Sequence, residues 1–226
     1  MFEVSETWKS TFPGAHAGVL VMRHVVNPAF HPDLNRHKEI LEEQLRSQFA
    51  GQTRDALEKL PALQVYGAYY KRFKKTYHVQ LQLESIIFKG KSIPGVAALV
   101  EAMFMAEVKN MLLTAGHDLD VLRLPVRLDV STGDESYLLL RGQAQQLKPG
   151  DMLMADRDGI ISSIIYGPDQ RTQIRAGTQN VMFTVYAPGG ITTQTVTQHL
   201  QDIEHYVRLF APEAQVELLQ VFEAAS

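Results

Sequence analysis

Near the middle of the chain the hydrophobic pattern changes period, and this change limits the folds available. The run "GVAALVEAMFMAEVKNMLLTAG" spaces its large apolar residues as a helix does, with Gly116 placed as a C-terminal stop. Directly beyond it, "VLRLPVRLDV" alternates as a strand does. Before the change the pattern is mostly helical. "PDLNRHKEILEEQLRSQF", "TRDALEKL" and the stretch from about Pro61 to Lys75 predict three helices, after a strand in "HAGVLVMRHVV" that the Asn27-Pro28 turn ends. After it the pattern is mostly β. "ESYLLLRG", the two halves of "LKPGDMLMADRDGIISSIIYG" and "QNVMFTVYAP" read as strands, and "TTQTVTQHLQDIEHYVRLF" and "QVELLQVF" close the chain as a helix and a strand. "HVQLQLESIIFKGKSIPG" fits a strand start or a short helix equally well. Helices followed by strands predict an α+β fold, with a mixed or antiparallel sheet and helices packed around it, rather than a doubly wound parallel sheet.

No linker composition, internal repeat or low-complexity segment interrupts the chain, which predicts a single domain over 1–226. Within it, 1–65 forms a mainly helical portion and 190–226 the closing helix and strand. At 226 residues the chain is long enough for a core that needs no disulfides, and it contains no cysteine. That excludes disulfides, zinc-thiolate sites and cysteine nucleophiles. The opening "MFEVSETWKS" lacks the basic start and apolar run of a signal peptide, and the most apolar helix carries Glu101, Glu107 and Lys109. The expectation is a soluble, cytoplasmic chain with no membrane partner. A formal net charge of −3 argues against a dedicated nucleic-acid binder, although basic density peaks in "YYKRFKK".

Three constellations invite chemistry. In "LLTAGHDLDVL", His117 stands beside Asp118 and Asp120. Adjacent His and Asp make a poor metal set, so no metal is expected, and a helix cap with a polar strand entry accounts for them as well as a dyad does. In "GAYYKRFKKTYH", Tyr69, Tyr70, Phe73 and Tyr77 interleave with Lys71, Arg72, Lys74 and Lys75. Rings that stack on bases and cations that meet phosphates are one reading; a helix with an aromatic core face and solvated lysines is the other. The loop "YGPDQRTQIRAGTQNV" collects polar groups between two strands. No Walker motif, G-x-G-x-x-G run or G-x-S-x-G elbow occurs, and no cofactor is expected.

A resemblance extends this reading. "FKGKSIPGVAALVEAMF", "HDLDVL", "GDESYLLL" and "IIYGPDQRTQIRAGTQNVMF" follow one another as do the motifs of the B3/B4-type editing domain of the phenylalanyl-tRNA synthetase beta subunit. The chain resembles still more closely the freestanding proteins made of that domain alone. The likeness covers about 71–187 and implies a B3/B4-like fold whose activity is hydrolysis of a wrongly attached amino acid from tRNA. Such an ester needs a positioned water and donors for the oxyanion rather than a metal. By that resemblance Gly167, Thr178, Asn180 and Thr184 line a substrate pocket, with Thr184 and Asn180 positioning the water. His117 and Asp118 shape its rim, and Lys71, Arg72, Lys74 and Lys75 meet RNA. Thr184 stands where the family has its pocket glutamate, Ala115 where it has a histidine, and Phe104 where it has a helix asparagine. The implied partners are aminoacylated tRNA or a small amino-acid ligand. The alternative is a non-catalytic RNA- or amino-acid-binding module that kept the fold without those residues. A third option, docking through the N-terminal helices, has no further sequence support.

Overall fold

The computed structural model describes residues 2–224. In chain order the elements are β1 (Phe2–Val4), α1 (Glu6–Thr11), β2 (His16–Arg23), α2 (Pro32–Gln48), α3 (Arg54–Leu57), α4 (Pro61–Arg72), α5 (His78–Lys89) and α6 (Ala98–Asn110). Then follow β3 (Leu113–Asp118), a 3-10 turn (Leu119–Val121), β4 (Val126–Val130), β5 (Ser136–Leu138), β6 (Ala144–Gln146), β7 (Met152–Asp156), β8 (Gly159–Ser163), β9 (Gly167–Pro168), β10 (Val181–Ala187), α7 (Thr193–Arg208) and β11 (Gln215–Glu223). The fold is α+β.

Two sheets organise it. A four-stranded antiparallel sheet has the order β11-β2-β10-β3, and a mixed five-stranded sheet has the order β1-β4-β7-β8-β9. The hairpin β5-β6 stands apart as a small third sheet. Every residue of β10 is buried, consistent with a central strand covered on both faces. α7 lies on β2 so closely that a Cβ at Gly18 would come within 2.6 Å of Val196 Cγ1, so a bare glycine is what the contact requires.

α5 resolves the ambiguous stretch as a helix. The alternation of Val79, Leu81 and Leu83 with glutamines imitates a strand, but burial falls on Val79, Leu83 and Ile86 while Leu81 is exposed. Gly90 ends the helix in the left-handed conformation, with φ 62°.

The stop expected at Gly116 is corrected. α6 ends at Asn110, with Met111 in the left-handed conformation donating to the Glu107 carbonyl. Gly116 lies inside β3, opposite Phe183 of β10. Pairing with β10 outweighs local helix propensity over 113–118, and Gly116 serves there as a point of close approach. A Cβ on it would sit 2.7 Å from Ile174 Cδ1. His117 and Asp118 are consequently strand residues rather than a cap on α6, and Asp118 caps the 3-10 turn instead. "VLRLPVRLDV" is corrected too, because its first residue belongs to the 3-10 turn and only Val126–Val130 is strand.

The aromatic residues of "GAYYKRFKKTYH" are buried. Tyr66 and Tyr77 stack with centroids 4.4 Å apart. Tyr77 donates to the Met111 carbonyl at 3.2 Å and Tyr70 to the Ile164 carbonyl at 2.7 Å, tying α4 and α5 to the strands. These rings are core, and none of the four is free to stack on a base.

Candidate functional site

A cleft of about 410 Å³ opens between α5, α6, β3 and the β9 turn, within the range of small-molecule sites. Its walls are mainly apolar, with Val96, Val100, Met103, Phe104 and Ile174 among them, and Gly167 forms part of its edge. Gly167 turns the chain with φ 82°, and a Cβ there would meet nothing within 4 Å, so its bare backbone faces open space. Ala115 and Phe104 also line the cleft. A second cavity of about 380 Å³ adjoins α5 and the 91–94 loop, and His78 and Gln82 line both.

Five polar side chains line the main cleft: His78, Gln82, Glu107, Thr114 and Gln173. The Tyr70 hydroxyl lies 3.2 Å from His78 Nδ1 and has its single proton committed to the Ile164 carbonyl. His78 must therefore donate from Nδ1, which leaves Nε2 as the lone-pair nitrogen. Desolvation lowers the His78 pKa from its ordinary value, so the ring is neutral at pH 7 although part of it reaches solvent. Glu107 has Oε1 engaged by the Thr114 N–H at 2.8 Å, and its buried Oε2 has no hydrogen-bond partner. Burial pushes its pKa up to about 8, against the Thr114 hydrogen bond, which acts to lower it.

Of the six pocket residues expected from the sequence, Gly167 alone lines this cleft. Thr184 is fully buried in mid-sheet, paired with Ala115 and Val19, and its hydroxyl donates to the Ala115 carbonyl at 3.3 Å. Asn180 donates to both carboxylate oxygens of Asp120 at 2.9 and 3.0 Å, so its amide ties two loops and faces no cavity water. Thr178 donates to Asp118 Oδ2 at 2.7 Å. Asp118 also accepts from the Asp120 N–H at 3.1 Å, which fixes the 3-10 turn.

His117 is fully buried. Its Nδ1 lies 2.7 Å from the Thr172 hydroxyl, which in turn donates to Asp169. Desolvation drives its pKa down to about 3, so it is a neutral interior residue. Beside it Arg171 holds Asp156 at 2.7 Å. Burial opposes the Asp156 charge, but Arg171 and neighbouring N–H groups keep its pKa below the ordinary value. Among the described residues no three His, Cys, Asp or Glu side chains gather as a metal set.

The four expected RNA-contacting cations are exposed on and just after α4. Arg72 lies over the Tyr69 ring at 5.5 Å, and Lys75 over the Tyr166 ring at 4.7 Å. Tyr166 precedes Gly167, so the cationic strip reaches the edge of the cleft. Sequence reasoning missed His78, Gln82 and Glu107 as cleft groups. The available signal was spacing: Val100, Met103, Phe104 and Glu107 share one helical stripe, so the acid falls among apolar residues.

An α+β domain with an apolar cleft edged by a left-handed glycine is the class these features define. The model of the B3/4 domain matches residues 62–212, and the chain belongs to that family. It is 33% identical over 69 residues to the phenylalanine–tRNA ligase beta subunit of Mycoplasma pneumoniae, a match covering 30% of this chain and 9% of that protein. Its fold is similar to the crystal structure of an N-terminal fragment of the phenylalanyl-tRNA synthetase beta subunit from Pyrococcus horikoshii. There the TM-score is 0.52 at 11% identity, covering 98% of this chain and 53% of that one. The chain thus spans about half of that fragment and under a tenth of the ligase subunit. Among the described residues no helix is long and apolar enough to cross a membrane.

Proposed function

We propose that the chain hydrolyses the ester of an aminoacylated tRNA in trans, with the acyl group in the main cleft. The observation that carries this reading is His78. It is a neutral histidine with a free Nε2, at the seam between the acyl-sized cleft and a second cavity that takes the adjoining ribose. A water oxygen adds to the ester carbonyl carbon while His78 Nε2 takes its proton. The bond between the acyl carbon and the ribose oxygen then breaks, and the proton passes to that oxygen, which leaves as the ribose hydroxyl. The side-chain amides of Gln82 and Gln173 supply N–H donors for the oxyanion, and general-base help of this kind contributes about 100- to 10,000-fold. Lys71, Arg72, Lys74 and Lys75 meet the acceptor-end phosphates next to the cleft, Arg72 and Lys75 from positions over aromatic rings.

A panel of mischarged tRNAs tests the reading. Release of the amino acid faster than in buffer, and lost on His78→Ala, supports it; rates equal to buffer for every ester refute it. The second reading, a binding module without hydrolysis, is favoured by the engagement of Thr184 and Asn180 in protein hydrogen bonds. It is expected to show as a thermal shift with amino acids in the absence of cleavage.

A further inference from the structure

We propose that Glu107 is the specificity-determining residue of this cleft, selecting acyl groups whose side chain ends in a neutral hydrogen-bonding group, a hydroxyl or an amide, over apolar side chains of the same shape. The inference rests on the cleft being the acyl site. Glu107 is 1% exposed, yet it belongs to the cleft lining, which places it at the floor. One carboxyl oxygen is fixed by the Thr114 N–H at 2.8 Å, and the other has no partner. Among the described residues no cation pairs with it: Lys109, two residues on, pairs with Asp202 at 2.8 Å. The Thr114 hydroxyl is already engaged by His199 at 2.6 Å. Glu107 thus brings to this mainly apolar lining a carboxyl whose Oε2 is buried without a partner among the described residues, while His78 and Gln82 also line the second cavity.

A carboxyl raised to about 8 is neutral at pH 7, so it offers both an O–H donor and a carbonyl acceptor. An apolar acyl group leaves that oxygen unpaired and sealed from water. A hydroxyl or amide of the same shape pairs it. A site built around such a group rejects the analogue lacking the partner far more strongly than a greasy pocket rejects an added hydroxyl. A cationic side chain is disfavoured, because the acid must first ionise in an apolar floor.

The test uses the full chain and tRNAs charged with shape-matched pairs: threonyl and valyl, tyrosyl and phenylalanyl, glutaminyl and leucyl, with lysyl as the cationic arm. In at least one pair kcat/KM is expected to favour the polar ester by about 100-fold or more. Glu107→Met collapses that ratio, read between the two esters of each pair on the same variant. Glu107→Gln, which keeps an N–H donor in place, retains most of the ratio and guards against a Met variant that fails to fold, as read by thermal melting. Equal cleavage within every pair, a ratio that survives Glu107→Met, or fastest cleavage of the lysyl ester overturns the inference and leaves the hydrolytic reading standing. If no ester is cleaved, the hydrolytic reading fails. The same pairs are then measured by calorimetry as amide-linked aminoacyl-adenosines. A polar preference lost in Glu107→Met supports the inference, and no preference or no binding overturns it.

Discussion

Two regions either side of the loop that follows β8 hold buried titratable groups, and they differ in what their polar atoms face. Around His117, the Thr172 hydroxyl, Asp169, Asp156 and Arg171 are engaged with one another. Around Glu107, a residue of the cleft lining, one oxygen is held by backbone and the other is buried without a partner. The first region is a network that orders loops, although His117 Nε2 is left buried without a partner. The second leaves a carboxyl oxygen unpaired on a residue that lines a cleft a ligand can fill. The polar cluster that stands out in the sequence is thus tied into loops, while the acid concealed in an apolar helix lines the cavity.

The largest effect on stability is expected in the His117 network. Thr172→Val removes the partner of His117 Nδ1 and of Asp169, all fully or nearly buried, and should cost about 1–3 kcal/mol in denaturant unfolding. The discrimination between paired esters should not change. The same test at the cleft has the opposite pattern, since Glu107→Gln should cost little stability.

A smaller effect separates the regions by pH. The folded pKa of Glu107 is raised to about 8 from 4.5, so the folded state binds more protons between those values and stability falls as pH rises through that window. His117, down to about 3, and His199, down to about 4, act in the other sense: their neutral burial adds stability as pH rises toward 6.5. Asp151, raised by burial to about 6, opposes the histidines over its own range. Between pH 6.5 and 8 Glu107 dominates these four groups. Unfolding free energy should decline there with a slope of up to about 1.4 kcal/mol per pH unit, and Glu107→Gln should flatten the curve. A slope unchanged in the variant would mean that Glu107 is ionised in the folded protein.

The smallest effect concerns the cationic strip. Lys71→Ala and Lys74→Ala should leave the melting temperature within error, as exposed charges do, while weakening tRNA binding and reducing its salt dependence by about one counterion each. A salt slope that does not change places the RNA elsewhere.

Much of the fold was legible because it rests on period. The β7-β8 hairpin around Asp158-Gly159, the central strand β10 and the amphipathic α7 all show their burial pattern in sequence. The end of α6 was not legible, because 111–116 is as apolar as the helix before it and only pairing with β10 makes it a strand. The cleft was less legible still. Gly167 could be placed by resemblance, but Thr184 could not be judged without the register that buries it beside Ala115. His78 sits at the start of α5, in the stretch whose strand or helix character sequence left open, so its neighbours across the cleft were invisible.

The most direct measurement is the deacylation rate of the mischarged tRNA panel with the wild-type chain, His78→Ala and Thr172→Val, each confirmed folded by thermal melting. If the cleft is the site, His78→Ala should lose about 100-fold or more while folded Thr172→Val keeps its rate. Full activity in His78→Ala together with its loss in folded Thr172→Val would contradict the assignment and return the chemistry to the His117 network.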